Sequence, residues 1–447
     1  MMAPYSHSHS ELPAKQGLLQ RMWKYPALEH YVRLIILVSV VNLGWLIYGV
    51  TQGQWFVPSQ IDLSSLSNMV ISNFFVAILI RQQYIINLLF WLATRAPVTW
   101  PLSVRWHLGK IYHHGGLHSG CAVNGSLWFA LFTGALIYQR NQDPSSVSST
   151  SLYSTMAIVG LLVVIIAMAM PNIRKKFHNA FERTHRFAGW SILILFWVQA
   201  FAVAADSQPE LTAWECMLQT PSMWLISIMT FSILLPWLRL RKVPVSITTP
   251  SRHVALLKFN YGVTPFAGSS MAISRSPLSE WHHFANVPSP TEPGYRLTVS
   301  RAGDWTGKLI DDKPSHLWVK GIPTAGVANI EVLFKRVVYI ATGSGIGPCI
   351  PHLLAQKLPI QLVWSTRDPR KTYGDELVDE ILAAQPDALI WDTDKQGKPD
   401  MVQLAYAAYE AFDAEAVICI SNQKLTRQVV FGLESRGIPA FGAIWDS

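Results

Sequence analysis

Six apolar stretches in the first 240 residues constrain this chain more than any other feature. A helix that crosses the ~30 Å hydrocarbon core of a bilayer needs about 20 mostly apolar residues. A mean hydropathy of +0.23 with only 14% charged residues is atypical of a soluble protein. We therefore predict a six-helix transmembrane domain over residues 32–242, after a disordered tail over 1–31. The predicted spans are residues 32–50, 66–80, 116–138, 152–170, 187–204 and 221–238.

A further apolar run at residues 84–93 is too short to cross a bilayer alone. It is either a continuation of the second span or a segment at the membrane interface. Clusters of Lys and Arg precede the first span, separate the second from the third and the fourth from the fifth, and follow the sixth. Because such clusters favour the cytoplasmic side, we expect the N-terminus and the C-terminal half in the cytosol. The sequence leaves open which membrane holds the protein.

The net charge of +8 could suggest nucleic acid as a partner. The basic residues flank apolar runs, however, so we expect membrane lipids as partners and no nucleic acid. The four cysteines form no C-x-x-C pair, and neither a disulfide framework nor a zinc site is expected. The oligomeric state stays open.

The chain changes character after about residue 239, where short alternating runs replace the long apolar ones. Runs such as VALLKF and YRLTVS, separated by Gly and Pro, predict a small antiparallel β-barrel over 243–333. From 334 to 447 the order is strand, Gly-rich turn, helix and strand, which predicts an α/β doubly wound nucleotide-binding domain. The fold class is therefore a multidomain membrane protein with these two domains after the helices.

The Gly-rich turn is the first candidate site. It follows a buried strand and opens a helix, so its amides can approach a pyrophosphate at the positive end of that helix. The alternative is a Gly-rich connector of some other α/β fold. The turn comprises Gly343, Ser344, Gly345, Ile346, Gly347 and Pro348.

The end of the second α/β strand bears on the choice of coenzyme. A basic residue there would accept the 2′-phosphate of NADPH, whereas an acidic one would bind the ribose of NADH. The chain has Ser365, Thr366 and Arg367, with Tyr373 close behind, so NADPH is favoured and NADH remains possible. The alternative is that Arg367 and a nearby arginine only solvate the loop.

Two segments of the predicted barrel, WHHFANVPSP from residue 281 and YRLTVSRAGDWTGKL from residue 295, resemble the FAD-binding half of ferric reductases and NADPH oxidases. The resemblance implies FAD as a cofactor and places the first segment along the flavin and its ribityl chain. His283 stands where the family has proline. The cofactor-binding residues so implied are His282, His283, Phe284, Ala285, Thr298 and Ser300, with Gly303, Asp304, Trp305 and Thr306 around the pyrophosphate.

A resemblance that spans most of the chain is to TmpA-like integral membrane flavoproteins of fungi. It is carried by the segments GLHSGCAV, FERTHRFAGW and GIPAFGAIWDS. It implies a membrane oxidoreductase with FAD and NAD(P)H domains, and it implies no substrate. By the same resemblance, Cys419 would lie beside the nicotinamide and Trp445 would shield the flavin, as the catalytic candidates. A buried strand cysteine is the alternative for Cys419.

Ferric reductases and oxidases hold two stacked haems with His pairs about 14 residues apart on two helices. Here His118 and His185 could hold an inner haem, but Phe132 and Gln199 stand at the outer positions. At most one haem is therefore expected. The alternatives are no haem, with the histidines at the headgroup level, or another metal.

These features favour one enzymatic reading. Hydride would pass from NADPH to FAD and then to a small organic or membrane-dissolved acceptor. Two alternatives stay open: a ferric reductase or oxidase with one inner haem, and a flavin-based redox signalling protein.

Overall fold

The structure is a computed structural model that describes residues 11–207, 210, 212–289 and 292–443. Its first part is helical and ends at residue 238. Short 3-10 turns at Pro26–Leu28 and Gly109–His114 interrupt the series. The helices are α1 (Leu18–Lys24), α2 (His30–Thr51), α3 (Leu63–Leu79), α4 (Gln83–Ala93), α5 (Leu102–Leu108), α6 (Gly115–Gln142), α7 (Ser149–Ala169), α8 (Pro171–Lys176), α9 (His178–Ser207), α10 (Ala213–Gln219) and α11 (Pro221–Leu238).

Helix α6 is central to this part, because it contacts α2, α3 and α7. Polar side chains join these helices. The Asn42 carbonyl on α2 accepts hydrogen bonds from the Asn73 amide on α3 and from the Trp128 indole on α6, each at 2.8 Å. Gly116 and Gly120 of α6 allow α2 to approach closely. A Cβ on Gly116 would lie 2.3 Å from the Tyr31 carbonyl oxygen of α2, and one on Gly120 would lie 3.1 Å from the Ile35 Cα. The apolar segments are thus packed in a specific register.

Five helical segments in the described part of the chain are long and apolar enough to cross a membrane. They contain α2, α6, α7, α9 and α11, and they correspond to five of the six predicted spans. The sixth candidate is a bent pair, α3 and α4, whose axes meet at 75°. The break lies at residues 80–82, so the run at 84–93 does not continue the second span in a straight line.

The second part of the chain consists of antiparallel strands. Its one α-helix among the described residues, α12 (Asp304–Asp312), lies within the region where the sequence predicted an antiparallel barrel. The strands are β1 (Leu240–Pro244), β2 (Ser246–Thr248), β3 (Val254–Phe259), β4 (Ser269–Ser274), β5 (His282–Ala285), β6 (Val287–Pro288), β7 (Tyr295–Ser300), β8 (His316–Lys320) and β9 (Thr324–Ala325).

These strands form two sheets rather than one closed ring. One sheet has the order β1-β8-β4-β5 with β9 beside β4, and the other has the order β2-β3-β7-β6. The predicted runs VALLKF and YRLTVS are β3 and β7, paired with Leu257 opposite Leu297. Antiparallel pairing is confirmed, and the closed barrel is corrected to two sheets that share a core of alternating residues.

The third part is a parallel α/β layer, as predicted. Its strands are ordered β12-β11-β10-β13-β14, and each pair is parallel. Helices α13 and α15 pack on one face, and α17 and α18 pack on the other. A 3-10 turn at Val327–Leu333 leads in, and the elements are β10 (Val337–Thr342), α13 (Ile346–Ala355), β11 (Ile360–Thr366), α14 (Pro369–Tyr373), α15 (Asp375–Ala384), β12 (Leu389–Asp392), α16 (Thr393–Gln396), α17 (Met401–Ala411), β13 (Ala416–Ile420), α18 (Gln423–Glu434) and β14 (Ala440–Gly442).

Residues 83–114 dock the helical part onto the other two parts. The Asn87 side chain of α4 donates to the Pro323 carbonyl at 2.9 Å and accepts from the Ala325 amide at 2.9 Å. Arg105 of α5 forms an ion pair with Glu415 at 2.7 Å, and the arginine side chain is only 4% exposed. The segment predicted to lie wholly in the membrane domain therefore includes a docking element for the α/β layer.

We expect Arg105→Met to destabilise this docking strongly. The change leaves the Glu415 carboxylate without its guanidinium partner, and such a loss costs about 3 kcal/mol. The measurement is the thermal unfolding of the purified protein, followed by near-UV circular dichroism. Asp311→Asn is the control, because its partner Arg301 is one-third exposed and exposed pairs contribute less than about 1 kcal/mol. Equal unfolding temperatures for the two variants would show that the docking pair is energetically unimportant.

Candidate functional site

The antiparallel sheets and the parallel layer meet at a junction where most of the predicted residues lie, and we refer to this junction as the cofactor cleft. Helix α13 contacts β5, β6 and β7 there. A Cβ on Gly347 would lie 3.5 Å from the Cβ of Thr298 on β7. The carboxyl end of β10, the edge at which ligands bind in open α/β sheets, leads through the Gly-rich turn into α13. The two predicted cofactor regions therefore meet at one junction.

The Gly-rich turn lies at the edge of this cleft. Gly343 has φ of +50°, a conformation that favours glycine. A Cβ on Gly345 would lie 2.0 Å from the Ile420 carbonyl oxygen, so the turn is pressed against the end of β13. Ser344 is exposed, and the first turn of α13 carries no acidic side chain. Its amides and the positive helix end can thus approach a pyrophosphate.

The HHFA segment forms β5, whose side chains alternate between two faces. His282 and Phe284 share one face with Trp305, and the His282 ring stacks on the indole at a centroid distance of 4.0 Å. His283 and Ala285 therefore lie on the other face. The resemblance placed His282, Phe284 and Ala285 along the flavin and its ribityl chain, and this alternation separates Ala285 from the other two.

The GDWT segment is helical rather than an extended loop around a pyrophosphate. Gly303 caps α12, and the Thr306 hydroxyl accepts hydrogen bonds from the Ala302 and Gly303 amides at 2.9 and 3.1 Å. Asp304 is exposed in the first turn of the helix. The Thr306 hydroxyl thus binds the two amides that precede the helix and fixes the start of α12.

The predicted coenzyme residues differ in their availability. Ser365 and Thr366 are buried at the end of β11, whereas the Arg367 side chain is 79% exposed and lies 3.9 Å from Asp394. The neighbouring Arg370 forms ion pairs with two carboxylates of α15, at 2.9 and 2.7 Å. The Arg367 side chain is thus more exposed and more weakly paired than that of Arg370.

Tyr373 is buried beside Gly343 rather than exposed to a ligand. Its hydroxyl would lie 3.8 Å from a Cβ on that glycine, and its ring packs against Trp364 at 5.0 Å. Burial raises the pKa of the Tyr373 hydroxyl to about 12. The tyrosine thus supports the turn from behind, which corrects its expected place in direct contact with the coenzyme.

Cys419 lies inside the core between the parallel sheet and α18, and it is 1% exposed. Burial raises the pKa of its thiol to about 12. A neutral, enclosed thiol is a poor nucleophile. The structure therefore favours a buried strand cysteine over a catalytic role for Cys419. Trp445 lies outside the described residues.

The two candidate haem ligands are close together. The rings of His118 on α6 and His185 on α9 have centroids 6.2 Å apart with an interplanar angle of 41°. Nδ1 of His118 is hydrogen-bonded to the Ala77 carbonyl at 2.8 Å, which leaves Nε2 for another partner. The outer positions Phe132 and Gln199 are both buried. Within the described residues, no group of three His, Cys, Asp or Glu side chains could hold a metal ion.

The sequence did not predict a lysine packed between two tryptophan rings. The Lys320 ammonium of β8 lies over the rings of Trp237 and Trp281, 4.9 and 4.4 Å from their centroids. Burial, reinforced by the Arg186 guanidinium, lowers the pKa of this lysine to about 8. No local sequence pattern signals it, because the three residues come from separate elements.

The C-terminal 121 residues, 327–447, match the family model described as the C-terminal domain of adenylate-forming reductase 03009. Over 97% of its length the chain is 45% identical to adenylate-forming reductase 03009 of Coprinopsis cinerea. It is 44% identical over 98% of its length to adenylate-forming reductase 06235 of the same fungus. The chain spans 42% of the length of each of these relatives.

Two solved structures are similar to about half of the chain. The ferredoxin-NADP+ reductase from Neisseria gonorrhoeae with bound FAD and NADP is 14% identical, with a TM-score of 0.35, over 46% of this chain and 98% of that chain. The FAD/NAD binding domain of nitric oxide dioxygenase from Vibrio cholerae is also 14% identical, with a TM-score of 0.34 and the same coverage. The fold of the C-terminal half is defined by its own strand order. In sequence, the chain is similar along almost its whole length to a segment of fungal adenylate-forming reductases.

Proposed function

We propose that this chain is a membrane-bound, flavin-dependent oxidoreductase that uses NADPH to reduce a small organic or membrane-dissolved acceptor. The observation that carries the proposal is the cleft in which β7 meets the Gly343 turn and the start of α13. Two curated relatives named as reductases support it.

The residues present suit FAD and NADPH. The Gly343 turn is open on one side and pressed against β13 on the other, as a turn must be if its backbone is to approach a pyrophosphate. His282 has a buried Nε2 with no hydrogen-bond partner in the described structure. Such an atom is usually satisfied by a ligand or water. FAD bound here would accept hydride from NADPH and supply reducing equivalents to the acceptor.

The protein contributes position and charge. The α13 start orients the coenzyme phosphates by its amides, and Arg367 attracts a 2′-phosphate. Tyr373 fixes Gly343 from behind by packing. Thr298 keeps the flavin-side sheet in contact with α13. Together these residues would hold the coenzyme phosphates beside the flavin-side sheet.

We also propose that the long helices cross a membrane and leave the C-terminal half in the cytosol. Support comes from the exposed apolar side chains of α2, such as Ile36, Leu37 and Val41, which need an apolar surrounding. Reduction assays on sealed, oriented vesicles test this arrangement. Exclusive reduction of an impermeant acceptor on the extracytoplasmic side would contradict an acceptor on the cytosolic side or in the membrane.

The first test is the anaerobic absorbance spectrum of the purified protein before and after NADPH. We expect a flavin band that bleaches rapidly. Gly345→Ala should slow the bleaching at least about tenfold, because its methyl group would overlap the Ile420 carbonyl and displace the turn. Gly160→Ala is the control, since a Cβ there meets nothing within 4 Å.

The outcomes of this test are distinct. A preparation without flavin would overturn the proposal. Bound flavin that NADPH reduces only over hours would favour the redox signalling alternative. Bleaching of Gly345→Ala at the rate of the unaltered protein would show that the turn does not hold the coenzyme.

A second prediction concerns coenzyme choice. Arg367→Glu should raise the KM for NADPH by about tenfold or more, because a charge-assisted hydrogen bond to the 2′-phosphate is replaced by repulsion. The KM for NADH should change little. Steady-state reduction of an artificial acceptor measures both constants. Arg370→Gln is the matched control, since that arginine is already paired with two carboxylates; an equal effect on NADPH would refute the role of Arg367.

The proximity of His118 and His185 favours a second candidate, electron transfer through one inner haem. A Soret band in the same spectrum, lost in His185→Ala, would support it. A flavin spectrum without a Soret band would leave the haem-free oxidoreductase. We likewise propose that this chain is related to TmpA-like flavoproteins and ferric reductases.

A further inference from the structure

A second cavity lies away from the cofactor cleft, and it shares no lining residue with it. It has a volume of about 450 Å³, within the range of small-molecule sites. Its walls come from three separate parts of the chain: residues 20–33, residues 106–113, and one face of α18 with the end of β14. The cavity is therefore built where the helical part and the α/β layer dock.

The charges around this cavity do not balance. Among the described residues, four cationic side chains and two carboxylates line it, and two of the cations are paired, at 2.6 and 3.7 Å. The pairs are Lys110 with Glu434 and Arg427 with Glu29. A surplus of two positive charges remains.

The surplus charges belong to Lys24 and Arg33. The Lys24 ammonium donates to the Gln16 amide oxygen and lies 4.6 Å above the Trp106 ring. The Arg33 guanidinium donates through Nε to the Leu28 carbonyl and lies 4.6 Å above the Trp23 ring. Each cation is thus held on an aromatic face by neutral partners, with donors left for an anion.

A third polar group at the cavity is the imidazole of His113. His113 is 5% exposed, and its Nδ1 is buried with no hydrogen-bond partner in the described residues. Its ring stacks on that of His30 at 5.7 Å. A buried ring nitrogen normally has a partner, so the missing partner points to a ligand atom at this place.

We propose that this cavity binds an organic anion, a carboxylate or phosphate carried on an apolar or aromatic body. The anionic group meets Lys24 and Arg33, and a polar atom meets His113. The apolar body packs against Trp106 and Phe431. Since the site lies at the start of α2, the anion is either a free organic acid or a lipid headgroup. This binding does not depend on the proposed redox reaction.

The test uses the full chain in nanodiscs of neutral phosphatidylcholine, with octanoate as the probe. Quenching of tryptophan fluorescence reports binding, because two tryptophans line the cavity. We expect saturable binding of octanoate. Octanol, which has the chain without the charge, and acetate, which has the charge without the chain, should bind at least about tenfold more weakly.

Arg33→Gln should weaken octanoate binding by about tenfold. Arg95→Gln is a matched control, because Arg95 lies 4.6 Å above the Trp91 ring outside the cavity. Lys24→Gln is a second variant in case Arg33→Gln unfolds, as judged by its melting temperature without ligand. Octanol binding as tightly as octanoate, or cavity variants binding octanoate as tightly as Arg95→Gln, would overturn the proposal.

A final arm identifies the source of the anion. Nanodiscs that contain phosphatidic acid should compete with octanoate in the unaltered protein if the natural ligand is a lipid headgroup. Absence of competition, with octanoate binding retained, identifies a free organic acid. Both results uphold the site, whereas competition that persists in Arg33→Gln would place the lipid elsewhere and contradict it.

Discussion

The ion pair between the buried Arg105 and the partly exposed Glu415 is the contact on which the arrangement of the parts depends. The guanidinium also donates to the Leu333 and Trp100 carbonyls, so its donors are used on both sides of the junction. A buried guanidinium is stable only with such complete partnering. The pair therefore acts as a geometric constraint: it holds α5 in one position at the junction of the α/β layer.

From this junction the rest of the architecture follows. The 3-10 turn after α5 places Lys110 against Glu434 and brings α6 to its start at Gly115. Helix α4 is held beside β9 through Asn87. The helical part thus contacts both the antiparallel sheets and the parallel layer. The cavity that Lys24 and Arg33 line lies at its contact with the parallel layer.

The cofactor cleft depends on a different constraint, which is close backbone approach. Gly345 touches the end of β13, and Gly347 faces Thr298 across the cleft. Larger side chains at these positions would separate the turn from its neighbours. The Gly-rich turn offers backbone amides here and His282 has an unpartnered Nε2 among the described residues, whereas the second cavity presents charged side chains. The chemistry of the two places is therefore distinct: one suits pyrophosphate and planar rings, and the other suits an amphipathic anion.

The sequence by itself determined the elements whose signal is local. Long apolar runs predicted five of the long helices, period-two runs predicted β3 and β7, and the Gly-rich turn predicted the start of α13. These local patterns predict structure because apolar residues that are buried on one face, or on all faces, recur at a regular spacing along the chain. The helix at GDWT was missed because its nine residues are stabilised by the Thr306 cap and by packing of Trp305 on His282.

Only the tertiary structure decided where side chains meet. It placed Cys419 in the core, Tyr373 behind the turn, and Arg370 between two carboxylates. It also showed that residues 83–114, predicted as a short apolar run and a cytosolic connection between the second and third spans, dock onto the other two parts. The docking depends on contacts between residues 310 and 236 positions apart, Arg105 with Glu415 and Asn87 with Pro323, and no period or motif in the chain encodes such pairings.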